Sequence, residues 1–166
     1  MMKSVEDLED KNVLVLGMAK SGVSAALLLH RLRANVLVND ANANQPQELI
    51  EKLENKGIRM VLGEHPTNIL SQNKIELIVK NPGIPYTNPV LVDAQARGIK
   101  IVSEPELAYW VMDSELIGVT GSNGKTTVTT LIQLMLDDNK KNAYVAGNIG
   151  VPATTVAQKA TAEDKI

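Results

Sequence analysis

The sequence predicts an α/β protein: a Rossmann-like parallel sheet, followed by the start of a second, phosphate-loop α/β unit. Three observations carry this. Short β-branched runs alternate with helical stretches along the whole chain, the punctuation of parallel sheets covered by helices. The first run, Asn12–Leu16, is apolar without alternation after its first residue, as expected of a strand buried on both faces. Glycine-rich turns follow two of the runs directly and open helices.

The elements follow in order. Asn12–Leu16 is the first strand; Gly17 breaks it, and Ser21 to Arg33 is helical, with Val23, Ala26 and Leu27 at helical spacing. Asn35–Asn39 is the second strand. Pro46 to Asn55 is a helix with proline in its first turn, closed by Gly57. Ile58–Leu62 and Ile75–Val79 are further strands, Pro89 to Arg97 is a helix stopped by Gly98, and Lys100–Val102 is the fifth strand. Glu104 to Asp113 then reads as a helix. The pattern restarts with a strand at Leu116–Thr120, a helix at Lys125 to Asp138, a strand at Asn142–Ala146 and a helix at Pro152 to Lys159. A boundary near Ser103–Ser114 divides the chain into residues 1–108 and 109–166. No linker-like stretch separates them, so the two units are expected to touch. Two strands and two helices cannot cover both faces of a sheet, so the second unit reads as unfinished and the chain as the front part of a longer protein.

Composition narrows the function classes. The chain has 166 residues, 44% of them hydrophobic, enough for packed cores. Aromatics are only 2%, namely Tyr86, Tyr109, Trp110 and Tyr144. That argues against a single-stranded nucleic-acid surface, which stacks bases on rings. A net charge of -2 gives no attraction to nucleic acid or anionic lipid. The absence of cysteine excludes disulfides and zinc–thiolate sites. Neither a secretory signal nor a membrane-spanning stretch is legible, so the expectation is a cytoplasmic monomer with small-molecule partners. Met18, Met60, Met112 and Met135 read as gap-fillers in an aromatic-poor core. His30 and His65 show no partner pattern and read as surface residues.

The strongest chemical signal is Gly118-Val-Thr-Gly-Ser-Asn-Gly-Lys-Thr-Thr127. Backbone N–H groups of such a loop surround a phosphate chain without side-chain obstruction, and the following helix adds its positive N-terminal end. ATP or GTP would lie over Gly121, Ser122, Asn123, Gly124, Lys125, Thr126 and Thr127. Lys125 would reach the β and γ phosphates, and the Thr126 hydroxyl would ligate Mg²⁺. Val119 stands where the strict pattern has glycine, so the loop is a variant.

A second signal, Gly17-Met-Ala-Lys-Ser-Gly22, occupies the dinucleotide fingerprint position with Ala19 in place of the middle glycine. Met18, Ala19, Lys20, Ser21 and Gly22 would hold a diphosphate. Asp40, ending the second strand, would bond a ribose or a uracil N–H, or merely cap its own turn. Asn81, Pro82 and Gly83 follow the fourth strand at the ligand-binding edge, stiffened by Pro85. Gly147-Asn-Ile-Gly150 places Asn148 on the same edge as Lys125, where an amide can orient a substrate carbonyl or hydroxyl.

These four motifs, in this order and spacing, resemble the Mur ligase family over essentially the whole chain. The resemblance implies an ATP- and Mg²⁺-dependent enzyme of peptidoglycan synthesis, and within the family the first turn and the Gly147–Gly150 loop point to addition of D-glutamate to UDP-N-acetylmuramoyl-L-alanine. It implies diphosphate over Met18–Gly22, uridine near Asp40, and Asn81–Gly83 beside the uracil. Lys125 and Asn148 would be catalytic, with Asn148 touching substrate. ATP would activate the alanyl carboxylate as an acyl phosphate, which the amine of D-glutamate attacks. Ala41 and Asn42 replace the hydroxyl or basic residue that relatives place after the aspartate. The family's later magnesium glutamate, histidine, carbamylated lysine and D-glutamate-binding domain have no match here, so this piece is expected to bind but not catalyse. An NAD(P)-binding dehydrogenase or regulatory module is the alternative; it leaves the lysine loop unexplained.

Overall fold

The computed structural model describes residues 8–139, 142–147 and 151–166. Five parallel strands, β1 (Asn12–Leu16), β2 (Asn35–Asp40), β3 (Arg59–Leu62), β4 (Leu77–Lys80) and β5 (Lys100–Ser103), form one sheet in the order β3-β2-β1-β4-β5. β1 is flanked by β2, with Val13 opposite Val36, and by β4, with Val13 opposite Leu77. Alternate side chains of these apolar strands enter different cores. Val13, Val15, Val36, Val38, Leu77 and Val79 pack under α1 (Lys20–Arg31), α2 (Gln47–Glu54) and α5 (Glu104–Val111). Leu14, Leu16, Leu37 and Ile78 pack under α3 (Ile69–Gln72) and α4 (Pro89–Ala96). The sheet is covered on both faces, which is why the central strands β1, β2 and β4 carry buried apolar side chains on both.

The chain moves outward from β1 to β2 and β3, then returns to the other side of β1 for β4 and β5. The carboxyl ends of β1 and β4 therefore mark the reversal point where α/β sheets bind ligands.

Several boundaries differ from expectation for local reasons. α1 stops at Arg31 because Arg33 takes a left-handed conformation (φ 63), and the Ala34 amide turns back to the Leu29 carbonyl at 3.0 Å. The short helix α3 was not anticipated. It closes the same way, with Lys74 at φ 49 and the Ile75 amide donating to Leu70. Neither ending uses the glycine that marks such a stop in sequence.

Beyond α5, the two expected strands do not form. Only isolated parallel bridges stand at these places: Glu115, just before Leu116–Thr120, and Ala143 each pair with Lys165, and Ala146 pairs with Val151. Lys165 and Ile166 lie between the two segments, and two residues provide partners for little more than one bridge on each side. α6 (Lys125–Asp138) forms as expected but has no buried residue. Met135 is 63% exposed and is not the core filler the sequence suggested, whereas Met18 and Met112 are buried.

The two parts touch through α7 (Ala153–Ala157), whose Ala153 packs against Ala108 and Met112 of the α5 region. A buried polar chain reinforces this contact. The Glu104 carboxylate accepts from the Thr154 amide (2.6 Å) and hydroxyl (2.5 Å), and the Thr154 hydroxyl reaches Ser24 of α1 at 2.8 Å. Glu104 is 3% exposed, and these bonds satisfy a carboxylate that would be costly to bury alone.

Candidate functional site

The predicted site residues of the first unit converge on the reversal point. Gly17 leaves β1 with φ 97, and its amide donates to the Asn39 carbonyl of β2 at 2.8 Å. An added Cβ at Gly17 would stand 2.9 Å from both the Asn81 and Ile84 side chains. The position therefore demands glycine for conformation and for close approach of the β4–α4 loop.

Gly22 has a packing role. It is buried in the first turn of α1, and a Cβ there would stand 1.9 Å from the Gly17 carbonyl oxygen. Gly22 sets the packing of helix on strand. Met18 is fully buried, so only its backbone faces the turn.

Asp40 braces this turn directly. Its Oδ2 accepts from the Met18 amide at 2.6 Å and its Oδ1 from the Asn42 amide at 2.8 Å. The cap of its own loop, one reading of the sequence, is present, and the contact to Met18 is added to it. The Met18 amide is thus committed to Asp40. The amides left open at the helix start are those of Lys20, Ser21 and Gly22, because first-turn N–H groups have no intrahelical acceptor. Ala19, the N-cap, offers no side-chain cap to cover them.

From the other side, Asn81 joins the same turn. Its amide nitrogen Nδ2 donates to Ser21 Oγ at 3.0 Å, its Oδ1 accepts from the Gly83 amide at 3.1 Å, and its backbone amide donates to Leu16 at 2.9 Å. Pro82 is held within this turn. An added Cβ at Gly83 would meet nothing nearer than Asn81 Oδ1 at 3.7 Å, so the protein itself leaves that side open. Three loops, after β1, β2 and β4, are thereby fastened to one another.

The second group of residues forms its own loop. Gly124 is the N-cap of α6 with φ 75, a left-handed conformation suited to glycine, and α6 has no side-chain cap. Lys125 folds over the loop, donating to the carbonyls of Gly121 (2.5 Å) and Ser122 (3.2 Å). Gly121, Ser122, Asn123, Thr126 and Thr127 are all exposed. Thr126 opens the helix beside Lys125, and its backbone carbonyl accepts from the Thr130 hydroxyl at 2.9 Å. The arrangement presents open amides, an ammonium over the loop and a hydroxyl at a helix N-terminus, the chemistry of a phosphate cradle. Asn148 lies outside the described residues.

His65 was read as a surface residue, and the structure corrects this. It is half-buried and bonded on both ring nitrogens, to Asn39 Oδ1 (2.6 Å) and Asn88 Nδ2 (3.3 Å). Its partners lie 26 and 23 residues away in sequence, which no local pattern reveals.

Comparison with known proteins sharpens the assignment. Residues 11–103 match the Mur ligase MurD-like N-terminal domain, and residues 119–166 match the Mur ligase middle domain. The chain belongs to the Mur ligase family. Over 165 residues it is 99% identical to the UDP-N-acetylmuramoylalanine--D-glutamate ligase of Pediococcus pentosaceus, covering 99% of this chain and 36% of that protein. It is 53% identical over 167 residues to the enzyme of the same name from Ligilactobacillus salivarius, again 36% of its length. The chain thus spans about a third of these Mur ligase relatives.

Solved Mur ligases share the fold. The UDP-N-acetylmuramate:L-alanyl-gamma-D-glutamyl-meso-diaminopimelate ligase of Neisseria meningitides superposes with a TM-score of 0.56 at 20% identity, covering 85% of this chain and 45% of that one. A murein peptide ligase of Psychrobacter arcticus gives 0.56 at 23% identity, covering 92% of this chain and 32% of its own.

Proposed function

We propose that this chain carries the UDP-sugar site and the phosphate loop of an ATP-dependent ligase that adds D-glutamate to UDP-N-acetylmuramoyl-L-alanine. The observation that carries the reading is the fastening of three loops at the sheet's reversal point, with unclaimed first-turn amides between them. The diphosphate would accept from the amides of Lys20, Ser21 and Gly22, at the positive end of α1. Uridine would lie between Asp40 and the Asn81–Gly83 loop. Each Asp40 oxygen accepts one bond from the protein, which leaves lone pairs for a uracil or ribose donor.

ATP would occupy the Gly121–Thr127 loop. Lys125 exchanges two carbonyl contacts for the β and γ phosphates, a short movement for an ammonium already over the loop. The residues present fit Mg²⁺ in a limited way. The Thr126 hydroxyl is the candidate ligand, and no cluster of three or more His, Asp or Glu suited to a metal occurs among the described residues. A magnesium ion held mainly by substrate phosphates and water suits that donor set. When bound, Mg²⁺ supplies neutralisation of phosphate charge. Lys125 holds the transferring phosphoryl group and stabilises its developing charge. Asn148 is the proposed contact to substrate near the second unit.

The domain division at residues 108 and 109 is part of this proposal, with α5 and α7 forming the joint. So are action in the cytoplasm as a monomer and substrates that are small molecules. No helix among the described residues is long and apolar enough to cross a membrane. The experiment is ligand protection of the 166-residue chain. UDP-N-acetylmuramoyl-L-alanine should raise the melting temperature and NADH should not; protection by NADH alone overturns the proposal.

A further inference from the structure

We propose that His65 is a positioning residue for the nucleoside end of the site, holding the end of β2 and the loop after β4 at a fixed separation. The inference deepens the uridine reading above and rests on it.

The hydrogen-bond chain has only one consistent polarity. Asn39 is fully buried beside Asp40, and its Nδ2 donates to the carbonyls of Val61 and Glu64, both at 2.8 Å. Two carbonyls require both amide hydrogens, so Asn39 Oδ1 faces His65 as an acceptor. His65 Nδ1, 2.6 Å away, must carry the proton. In the neutral ring Nε2 is then an acceptor. Asn88 matches it, because its Oδ1 accepts from the Val90 amide at 2.9 Å and leaves Nδ2 to donate to Nε2 at 3.3 Å. Each side chain has a single role, and neither amide can rotate without losing bonds.

The placement gives the chain its purpose. Asn39 immediately precedes Asp40, the proposed uridine contact. Asn88 ends the segment that begins at Asn81 and caps α4. His65, on the loop after β3, bridges the end of β2 and the loop after β4 across the end of the sheet. Asp40 and Asn81 already grip the β1–α1 turn from opposite sides, at Met18 and Ser21. The His65 chain closes that arrangement behind the space where a base would lie. A planar base needs walls at a set distance, and rigid neighbours lower the ordering cost of binding.

The test uses the 166-residue chain with UDP-N-acetylmuramoyl-L-alanine, uridine and ATP as separate titrants. His65→Ala should weaken UDP-N-acetylmuramoyl-L-alanine and uridine by about tenfold and leave ATP unchanged. His65→Asn, which restores an N–H near the Nδ1 position, should recover most of the loss. Nitrogen NMR of the parent at pH 8 should show the Nδ1–H tautomer, shifting on uridine addition and not on ATP addition. If His65→Ala does not fold, the tautomer of the parent and its response to uridine and to ATP decide. Unchanged uridine affinity in a folded His65→Ala, or an Nε2–H tautomer in the parent, overturns the inference alone. A parent chain that binds ATP but neither uridine ligand overturns the reading of the site and this inference with it.

Discussion

Gly22→Ala separates two physical effects of opposite sign at the heart of the site. In a helix, alanine is favoured over glycine by about 1 kcal/mol, because the unfolded chain loses less freedom on folding. Here the added Cβ would lie 1.9 Å from the Gly17 carbonyl oxygen and 3.0 Å from its carbon. It falls about 1.1 Å short of the closest approach that real Cβ atoms make. The obstacle is backbone, held by the Gly17 amide's bond to Asn39 at 2.8 Å, so it cannot swing aside. Either α1 lifts from β1, opening the core around Val23 and Ala26, or the turn distorts. Overpacking of this kind costs about 1–3 kcal/mol and sometimes more, so strain exceeds propensity. A net loss of about 2 kcal/mol is expected, or about 4–8 °C in melting temperature for a chain of this size. Urea denaturation followed by circular dichroism measures it. A variant as stable as the parent, or more so, would refute the packing role of Gly22.

Four further outcomes are expected. Gly83→Ala, where a Cβ meets only Asn81 Oδ1 at 3.7 Å, should leave stability within about 0.5 kcal/mol while weakening UDP-N-acetylmuramoyl-L-alanine binding in calorimetry; a stability loss without an affinity loss contradicts it. In a full-length ligase carrying this segment, Lys125→Ala should lower turnover about a hundredfold or more, measured by phosphate release, with UDP-sugar binding nearly unchanged. Ser103→Ala removes the hydroxyl that accepts from the Glu106 amide at 3.4 Å and should cost about 1 kcal/mol in unfolding experiments. Hydrogen bonds from the Ser103 hydroxyl and amide hold the Glu106 carboxyl below its usual range, helped by Lys100 and Lys80. A depressed folded-state value stabilises above the ordinary glutamate range, and that contribution is lost as pH falls through the folded value. The melting temperature should therefore drop on acidification from pH 7, and less steeply in Ser103→Ala; equal slopes contradict the assignment.

The first unit was legible because its signals are local. Asn12–Leu16 is apolar at every position but the first, and such a run has no stable place except a strand covered on both faces. The turn after it and the Asn81–Gly83 loop were placed on the ligand edge by chain order alone. Local chemistry also revealed the Gly121–Thr127 cradle and its helix. What stayed hidden depends on residues far apart in sequence. Asp40 reaches Met18 across 22 residues, and His65 joins Asn39 and Asn88 only once three loops have folded together. The packing demand on Gly22 is not legible in sequence because it comes from a carbonyl five residues earlier, brought close only by the turn. Leu116–Thr120 has strand propensity, yet propensity yields a strand only where a partner supplies a ladder. Here that partner is Lys165 and Ile166.

The central claim is that the β1–α1 turn and its two neighbouring loops hold a uridine diphosphate. Amide NMR of the 166-residue chain during titration with UDP-N-acetylmuramoyl-L-alanine tests it most directly. The largest shifts should fall on Lys20, Ser21, Gly22, Asp40 and Gly83, with the Met18 amide, already bonded to Asp40, moving less than Lys20 and Ser21. Shifts confined to Gly121–Thr127, or the same first-unit pattern produced by NADH and not by the UDP-sugar, would contradict the account.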